Sequence, residues 1–269
     1  GKLYVCDTIG KTVHIADLDD RTWSYFSPGN IMAFKKPINL DIDDDGTMYV
    51  ADSERGQVML FDSNLVSVGA IGAPREMTPV DVKLFKKQVY IADIKSHSVR
   101  IYDRASKALI KSIPVDDSDP VKKLFSPTNI DIDSAGRIYV SDTGGFRVQR
   151  YGPDGSYERT YGSHGMQYGQ FARNKGVAVD RENRVYVVDA AFHLVQIFSE
   201  DGDLLLFFGE QGTERGSLYL PAAVIVDYDH NRYFEKYVDP RFDLDFLILV
   251  CSQYGPGGIN VYGAIRKKK

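Results

Sequence analysis

The sequence predicts an all-β chain: a six-bladed β-propeller of four-stranded antiparallel blades, with an incomplete seam between the first and last blades. Three observations predict it. A short apolar run ending in Asp recurs along the chain. A Pro-led, alternating strand keeps phase ahead of most copies. No long window carries helical periodicity.

The recurring run is Tyr4-Val5-Cys6-Asp7, Tyr49-Val50-Ala51-Asp52, Tyr90-Ile91-Ala92-Asp93, Tyr139-Val140-Ser141-Asp142 and Tyr186-Val187-Val188-Asp189. A degenerate sixth copy is Leu249-Val250-Cys251-Ser252. The terminal positions step by 45, 41, 49, 47 and 63 residues. The first four steps fit one four-stranded propeller blade, roughly 40–50 residues. Before the run comes strand a of each unit, as in Pro37-Ile38-Asn39-Leu40-Asp41-Ile42-Asp43 and Pro127-Thr128-Asn129-Ile130-Asp131-Ile132-Asp133. The same phase holds at Pro79, Lys175 and Pro221. Turn dipeptides such as Asp45-Gly46 and Ala135-Gly136 follow, suited to tight hairpins. The Asp run is strand b. Strand c comes about six residues later, over 58–61, 99–102, 148–151 and 195–198. Strand d follows another turn, as in 204–208. No unit buries its faces alone; each sheet covers its neighbour.

The end units differ. The first, from Leu3 to about Phe26, reads as strands b, c and d without a strand a. The sixth reads as a, b and c (259–262), then a basic tail of residues 266–269 taken as a solvated end. These two blades are expected to be the least stable. The chain opens on Gly1 and a strand pattern, which reads as a processed or trimmed chain and says nothing about export.

The phrase Lys175-Gly176-Val177-Ala178-Val179-Asp180, then Val185-Tyr186-Val187-Val188-Asp189, Val195-Gln196-Ile197-Phe198 and Phe208-Gly209, resembles the NHL repeat. The likeness is clearest over 175–209 and 127–162 and extends over nearly the whole chain. The Gly-rich d–a connections, 162–171 and 209–218, match that family's linker. Their glycines are not phosphate cradles, since no helix or Lys-Ser/Thr pair follows. The resemblance implies a propeller fold. It does not choose a function, because NHL propellers include enzymes, RNA binders and protein-binding platforms.

Composition removes several classes. Hydrophobic residues at 43% and charged residues at 26% are those of a folded globular chain. The longest clean apolar run, 246–251, falls far short of the roughly 20 residues of a membrane helix. Lys and Arg number 33 against 37 Asp and Glu, a net charge of −4 that makes nucleic acid an unlikely partner. Basic pairs before the tail are only Lys35-Lys36, Lys86-Lys87 and Lys122-Lys123. Two cysteines exclude a disulfide-dense scaffold and a four-thiolate zinc site. Cys6 and Cys251 share one repeat position. Equivalent positions on adjacent sheets lie about 10 Å apart, beyond disulfide reach of about 7 Å, so reduced, buried thiols are expected.

No catalytic residue and no metal ligand is assigned from the sequence. Asp7, Asp52, Asp93, Asp142 and Asp189 are expected to accept backbone N–H groups of the turn that follows each strand b. The five histidines fall at different phases and lack metal-motif spacing. His97 and His193 are expected to serve b–c turns. Asn39, Asp81 and Asn129 sit near the start of strand a, where a propeller places a channel mouth; the next slots carry only Gly176 or Val177, and Ala223. No cofactor is expected, a structural Ca²⁺ at that mouth being the one ion considered.

The sixth unit carries an insertion, residues 228–245, where other a–b connections take a few residues. It is rich in the side chains of interface hot spots: Tyr228, Arg232, Tyr233, Phe234, Tyr237, Arg241 and Phe242. Either these aromatics plug the seam or they dock a partner. The whole chain, 1–269, is read as one domain. The expected function is a non-enzymatic protein-binding platform. Its NHL likeness implies a bacterial periplasmic, exported or cell-surface setting and a partner in an envelope complex, such as one with a c-type cytochrome. The alternative is a metal-dependent hydrolase or lyase with its site at the channel mouth.

Overall fold

The computed structural model describes residues 1–269 except 31, 116, 117, 213, 255–257 and 269. The chain is an all-β six-bladed propeller, with 22 strands among the described residues. Blade 1 is the sheet β1 (Lys2–Asp7), β2 (Thr12–Asp17), β3 (Thr22–Phe26). Blade 2 is β4 (Pro37–Ile42) to β7 (Ser67–Ile71), and blade 3 is β8 (Pro79–Phe85) to β11 (Leu109–Ile113). Blade 4 runs from β12 (Pro127–Ile132) to β15 (Tyr157–Tyr161), and blade 5 from β16 (Asn174–Val179) to β19 (Leu204–Phe208). Blade 6 holds β20 (Pro221–Asp227), β21 (Phe242–Ser252) and β22 (Ile259–Lys267). Blades 2 to 5 have four strands; blades 1 and 6 have three. No helix of the described residues is long and apolar enough to cross a membrane.

Two compact units emerge from the contacts: Gly1–Ile130 with Pro153–Tyr157, and Asp131–Gly152 with Glu158–Lys269. The first unit builds its core between blades. Val13, Phe34, Val50 and Phe61 form one cluster between blades 1 and 2. Tyr49, Ile71, Val82, Ile91 and Tyr102 form the next, between blades 2 and 3. In the second unit Tyr139, Tyr161, Phe171, Val187 and Phe198 pack between blades 4 and 5. Tyr186, Val224, Phe246, Ile248 and Val250 pack between blades 5 and 6. Alternation along each strand supplies these faces, and each fully buried large side chain contributes about 1.5–3 kcal/mol.

Local chemistry sets the ends of the strands. In blades 2, 4 and 5 the a–b turn is one device. Asp43, Asp133 and Asp180 donate their N–H to Thr47, Arg137 and Arg184. The fourth turn residue is left-handed: Gly46 (φ 84°), Gly136 (φ 87°) and Asn183 (φ 61°), residue types that tolerate this region. Strand a of blades 2, 3, 5 and 6 also enters with a bulge. In blades 2, 3 and 6 register shifts between Pro37 and Asn39, Pro79 and Asp81, and Pro221 and Ala223. Proline has no N–H to lose from the ladder at that point.

The last blade departs from the sequence reading in two places. Strand b begins at Phe242 rather than near Phe246, and strand c runs to Lys267 rather than stopping at Tyr262. The backbone of the basic tail is therefore strand through Lys267, while its side chains are exposed. It pairs with the close of the insertion, Phe242 opposite Lys267 and Asp243 opposite Arg266. Opposite charges face one another there: Arg266 meets Asp245 at 2.8 Å and Lys268 meets Asp243 at 3.6 Å. Lys269 lies outside the described residues.

Candidate functional site

The strand-end aspartates are structural, and their reach is longer than the sequence suggested. Asp52 is fully buried and accepts the N–H of Arg55 in the following turn at 3.0 Å. It also accepts Lys35 N–H at 2.7 Å and Lys36 N–H at 3.0 Å from the connection that precedes its blade. Asp93 takes Thr78 at 2.7 Å, and Asp189 takes Ala172 at 2.8 Å and Arg173 at 3.2 Å, in the same manner. Each carboxylate thus latches the incoming connection to the second strand of the same blade. Asp7, at the first blade, is held below the usual carboxylate range chiefly by the N–H of Gly10.

The histidines of the b–c turns are latches too. His97 and His193 both take the left-handed conformation. His97 Nδ1 meets the carbonyl of Phe125, and His193 Nδ1 accepts Leu220 N–H at 3.0 Å. Each turn therefore holds the connection that leads into the following blade. Cys6 and Cys251 are not in disulfides. Both are half-buried rather than fully buried, and burial pushes the Cys251 thiol up.

The three strand-a candidates lie at one repeat position, and two of them use their side chains on the neighbouring blade. Asn39 Nδ2 donates to Val80 O at 3.0 Å. Asp81 Oδ2 accepts Ile130 N–H at 2.8 Å, and its Oδ1 accepts Val82 N–H at 2.9 Å. Two residues further along strand a, Asp41 Oδ2 accepts Leu84 N–H at 2.7 Å. Asn129 is buried. Burial pushes the Asp81 carboxyl up to about 7, with Lys83 and the two N–H donors pulling the other way. These groups satisfy the exposed edge of the next blade's first strand, work that a bare strand edge requires. Among the described residues no three His, Cys, Asp or Glu side chains converge as a metal site requires.

Asn174 went unremarked in the sequence. It stands where the other blades carry Pro and is fully buried. Its Nδ2 donates to Ser141 Oγ at 2.8 Å and to Arg147 O at 2.9 Å. The missing Pro was the one available signal.

The insertion is a braced loop. It starts as the other a–b turns do, with Asp227 Oδ1 accepting Asp229 N–H at 2.7 Å. His230 Nδ1 lies 2.7 Å from Asp227 Oδ2. Two one-turn 3-10 helices follow, Asn231–Tyr233 and Glu235–Tyr237. Asn231 Nδ2 ties them to the carbonyl of Asp245 at 2.9 Å. The seven candidates then separate. Tyr228 turns inward: its ring lies 4.8 Å from that of Phe246 and beneath the Arg181 guanidinium at 4.0 Å. Tyr233, Phe234 and Phe242 are half-buried, and Tyr233 stacks on His230. Arg232, Tyr237 and Arg241 are exposed, Tyr237 by 73%. Arg241 makes paired contacts to Asp239 at 2.9 and 2.7 Å.

No family model matches the chain, and no curated protein matches it. Solved structures do. A streptogramin B lyase aligns over 100% of this chain and 80% of its own, with 10% identity and a TM-score of 0.66. A catalytically inactive virginiamycin B lyase from Staphylococcus aureus, solved with quinupristin, aligns over 97% and 80%, with 11% identity and a TM-score of 0.62. A Bacteroides thetaiotaomicron protein of unknown function aligns over 98% of this chain and 67% of its own, at 15% identity and a TM-score of 0.70. An auxiliary nutrient binding protein from the same organism covers 93% and 63%, at 12% identity and a TM-score of 0.67. At these identities the likeness is one of fold: the chain is a six-bladed β-propeller of the architecture that these lyases and Bacteroides proteins share.

Proposed function

We propose that the chain is a non-enzymatic protein-binding platform built from NHL-type blades, with the insertion of blade 6 as its docking element. The observation that carries this is the contrast within the insertion. Its Asp, His and Asn side chains brace the loop from inside, while Tyr237 is exposed and Arg241, also exposed, is fixed by Asp239. Rigid, exposed Tyr and Arg are the residues that anchor interfaces. The setting is bacterial, periplasmic or at the cell surface, and the partner belongs to an envelope complex. The NHL likeness of residues 175–209 supports that setting.

Doubling Tyr237→Ala with Arg241→Ala tests the reading. Both side chains are exposed, so the melting temperature stays within about 2 °C while partner capture falls at least tenfold. Capture equal to that of the parent protein overturns the insertion's role.

The second reading, a metal-dependent hydrolase or lyase, draws on the fold likeness to two lyases and on the buried carboxylate of Asp81. It requires stoichiometric metal in the purified protein and an activity that chelation removes.

A further inference from the structure

The buried and half-buried cations of the second unit face carboxylates, save one. Arg137 meets Asp133, Arg147 meets Asp142 and Arg150 meets Glu158. Arg159 meets Asp201 and Arg184 meets Asp180. Lys175 is half-buried too, yet its ammonium has no hydrogen bond or ion pair among the described residues. Arg173, two residues before it, is exposed, and its guanidinium likewise has no partner among the described residues. The carboxylate that holds this connection, Asp189, is already engaged. It accepts the N–H groups of Ala172, Arg173, Ala191 and Phe192.

The backbone that carries these two cations is braced. In β16 the register shifts between Asn174, opposite Asp189, and Val177, opposite Val187. Lys175 and Gly176 therefore share the place opposite Val188, and a bulge of this kind turns a side chain out of the regular alternation. Asn174 anchors one side: its Nδ2 bonds reach Ser141 and Arg147, and its carbonyl accepts Thr143 Oγ1 at 2.6 Å. Gly176 anchors the other, where a Cβ would come within 2.7 Å of Ala223 Cα. The equivalents of Lys175 and Gly176 in blade 6 are Ala222 and Ala223, which bring only methyl groups. Burial, and then the like charge of Arg173, push the Lys175 ammonium below its usual range. Two like charges fixed two residues apart, one of them partly withdrawn from water, cost stability until an anion answers them.

We propose that Lys175 and Arg173 form a binding site for a small phosphate-bearing anion, a phosphate monoester or phosphate itself. Lys175 supplies a compact charge, and Arg173 supplies a planar fork that takes two oxygens. A phosphate monoester carries about −1.5 to −2 charges near neutral pH and balances both cations, whereas a carboxylate balances one. Asn174, standing where other blades carry Pro, fixes the strand between the two cations. The inference does not rest on the protein-binding reading and uses none of the insertion's residues.

The probe is inorganic phosphate, added to the whole chain at constant ionic strength in chloride. Acetylation of Lys175 by an amine-reactive ester, followed by peptide mass spectrometry, is expected to slow saturably as phosphate rises. Lys35 and Lys36, both exposed, keep their rates. Phosphorus-31 line broadening gives a second reading that needs no reaction at the lysine. Lys175→Met is expected to weaken phosphate binding at least about tenfold, the worth of one charge-assisted bond. That variant loses an unpaired charge, so it melts no lower than the parent in chloride, which keeps lost binding distinct from lost fold. Glycerol 3-phosphate separates the two sources: saturation at lower concentration than phosphate marks an ester ligand, and equal saturation marks the free ion. Equal protection of Lys175 by acetate overturns the inference, because screening then accounts for it. So does broadening that Lys175→Met leaves unchanged, or a response that never saturates. The Tyr237→Ala, Arg241→Ala protein is expected to keep the full phosphate response, so partner capture and phosphate binding fail separately.

Discussion

Asp81 Oδ2 accepts the N–H of Ile130 at 2.8 Å across 49 residues of sequence, joining blade 3 to blade 4 through a buried carboxyl. Because burial holds its pKa at about 7, the folded protein keeps a proton there that the unfolded chain, at about 3.9, has lost. The contribution to stability is full below about pH 4 and declines as pH rises to 7, by at most about 4 kcal/mol. Asn39 and Asn129 occupy the same repeat position, so Asn fits there. Asp81→Asn is expected to match the parent near pH 4 and to exceed its stability at pH 8. Urea midpoints at both pH values measure this, and an unchanged pH slope refutes the assignment.

Asp52→Ala removes the acceptor of three backbone N–H groups, those of Lys35, Lys36 and Arg55. Charge-assisted bonds at a buried site make this costly, about 3 kcal/mol. Denaturant unfolding should show it, with amide exchange at Lys35 and Lys36 accelerated. A change under about 1 kcal/mol would mean water replaces the carboxylate.

His193→Ala takes away the acceptor of Leu220 N–H while leaving a turn that must hold φ 58°. The expected cost is about 1 kcal/mol, with faster exchange at the Leu220 amide. Exchange at Leu220 identical to the parent would show that the imidazole is incidental.

Cys251 is predicted to alkylate slowly at pH 8, because burial raises its thiol pKa and reactivity follows the thiolate. Unfolded without reductant, the chain should release two titratable thiols. Rapid native-state labelling of Cys251 would contradict its burial.

The blades were legible because the Asp-ended run recurs as a strand buried on both faces, its successive side chains passing alternately to one neighbouring cluster and the other. Tyr49, Tyr90, Tyr139 and Tyr186 are all buried, as their shared phase required. What the carboxylates hold was only half legible. The turn after Asp52 lies at a fixed distance, whereas Lys35 and Lys36 belong to a connection without a common motif. The end of blade 6 was misread for a different reason. Asp243 and Asp245 break the apolar pattern on one strand, and Arg266 and Lys267 break it on the other. Each segment alone looks like loop; facing one another they are a charge-paired ladder. For the insertion, composition marked the right stretch but could not sort Tyr228, folded onto Phe246, from Tyr237, which is exposed.

The carboxylate latches lie 15 to 17 residues downstream of the amides they hold, as between Thr78 and Asp93 or Ala172 and Asp189. On a chain emerging from the ribosome, each linker therefore stays untethered until the next hairpin has been synthesised, and is fastened within seconds of that moment. Assembly can advance one hairpin at a time, with each sheet securing the joint behind it.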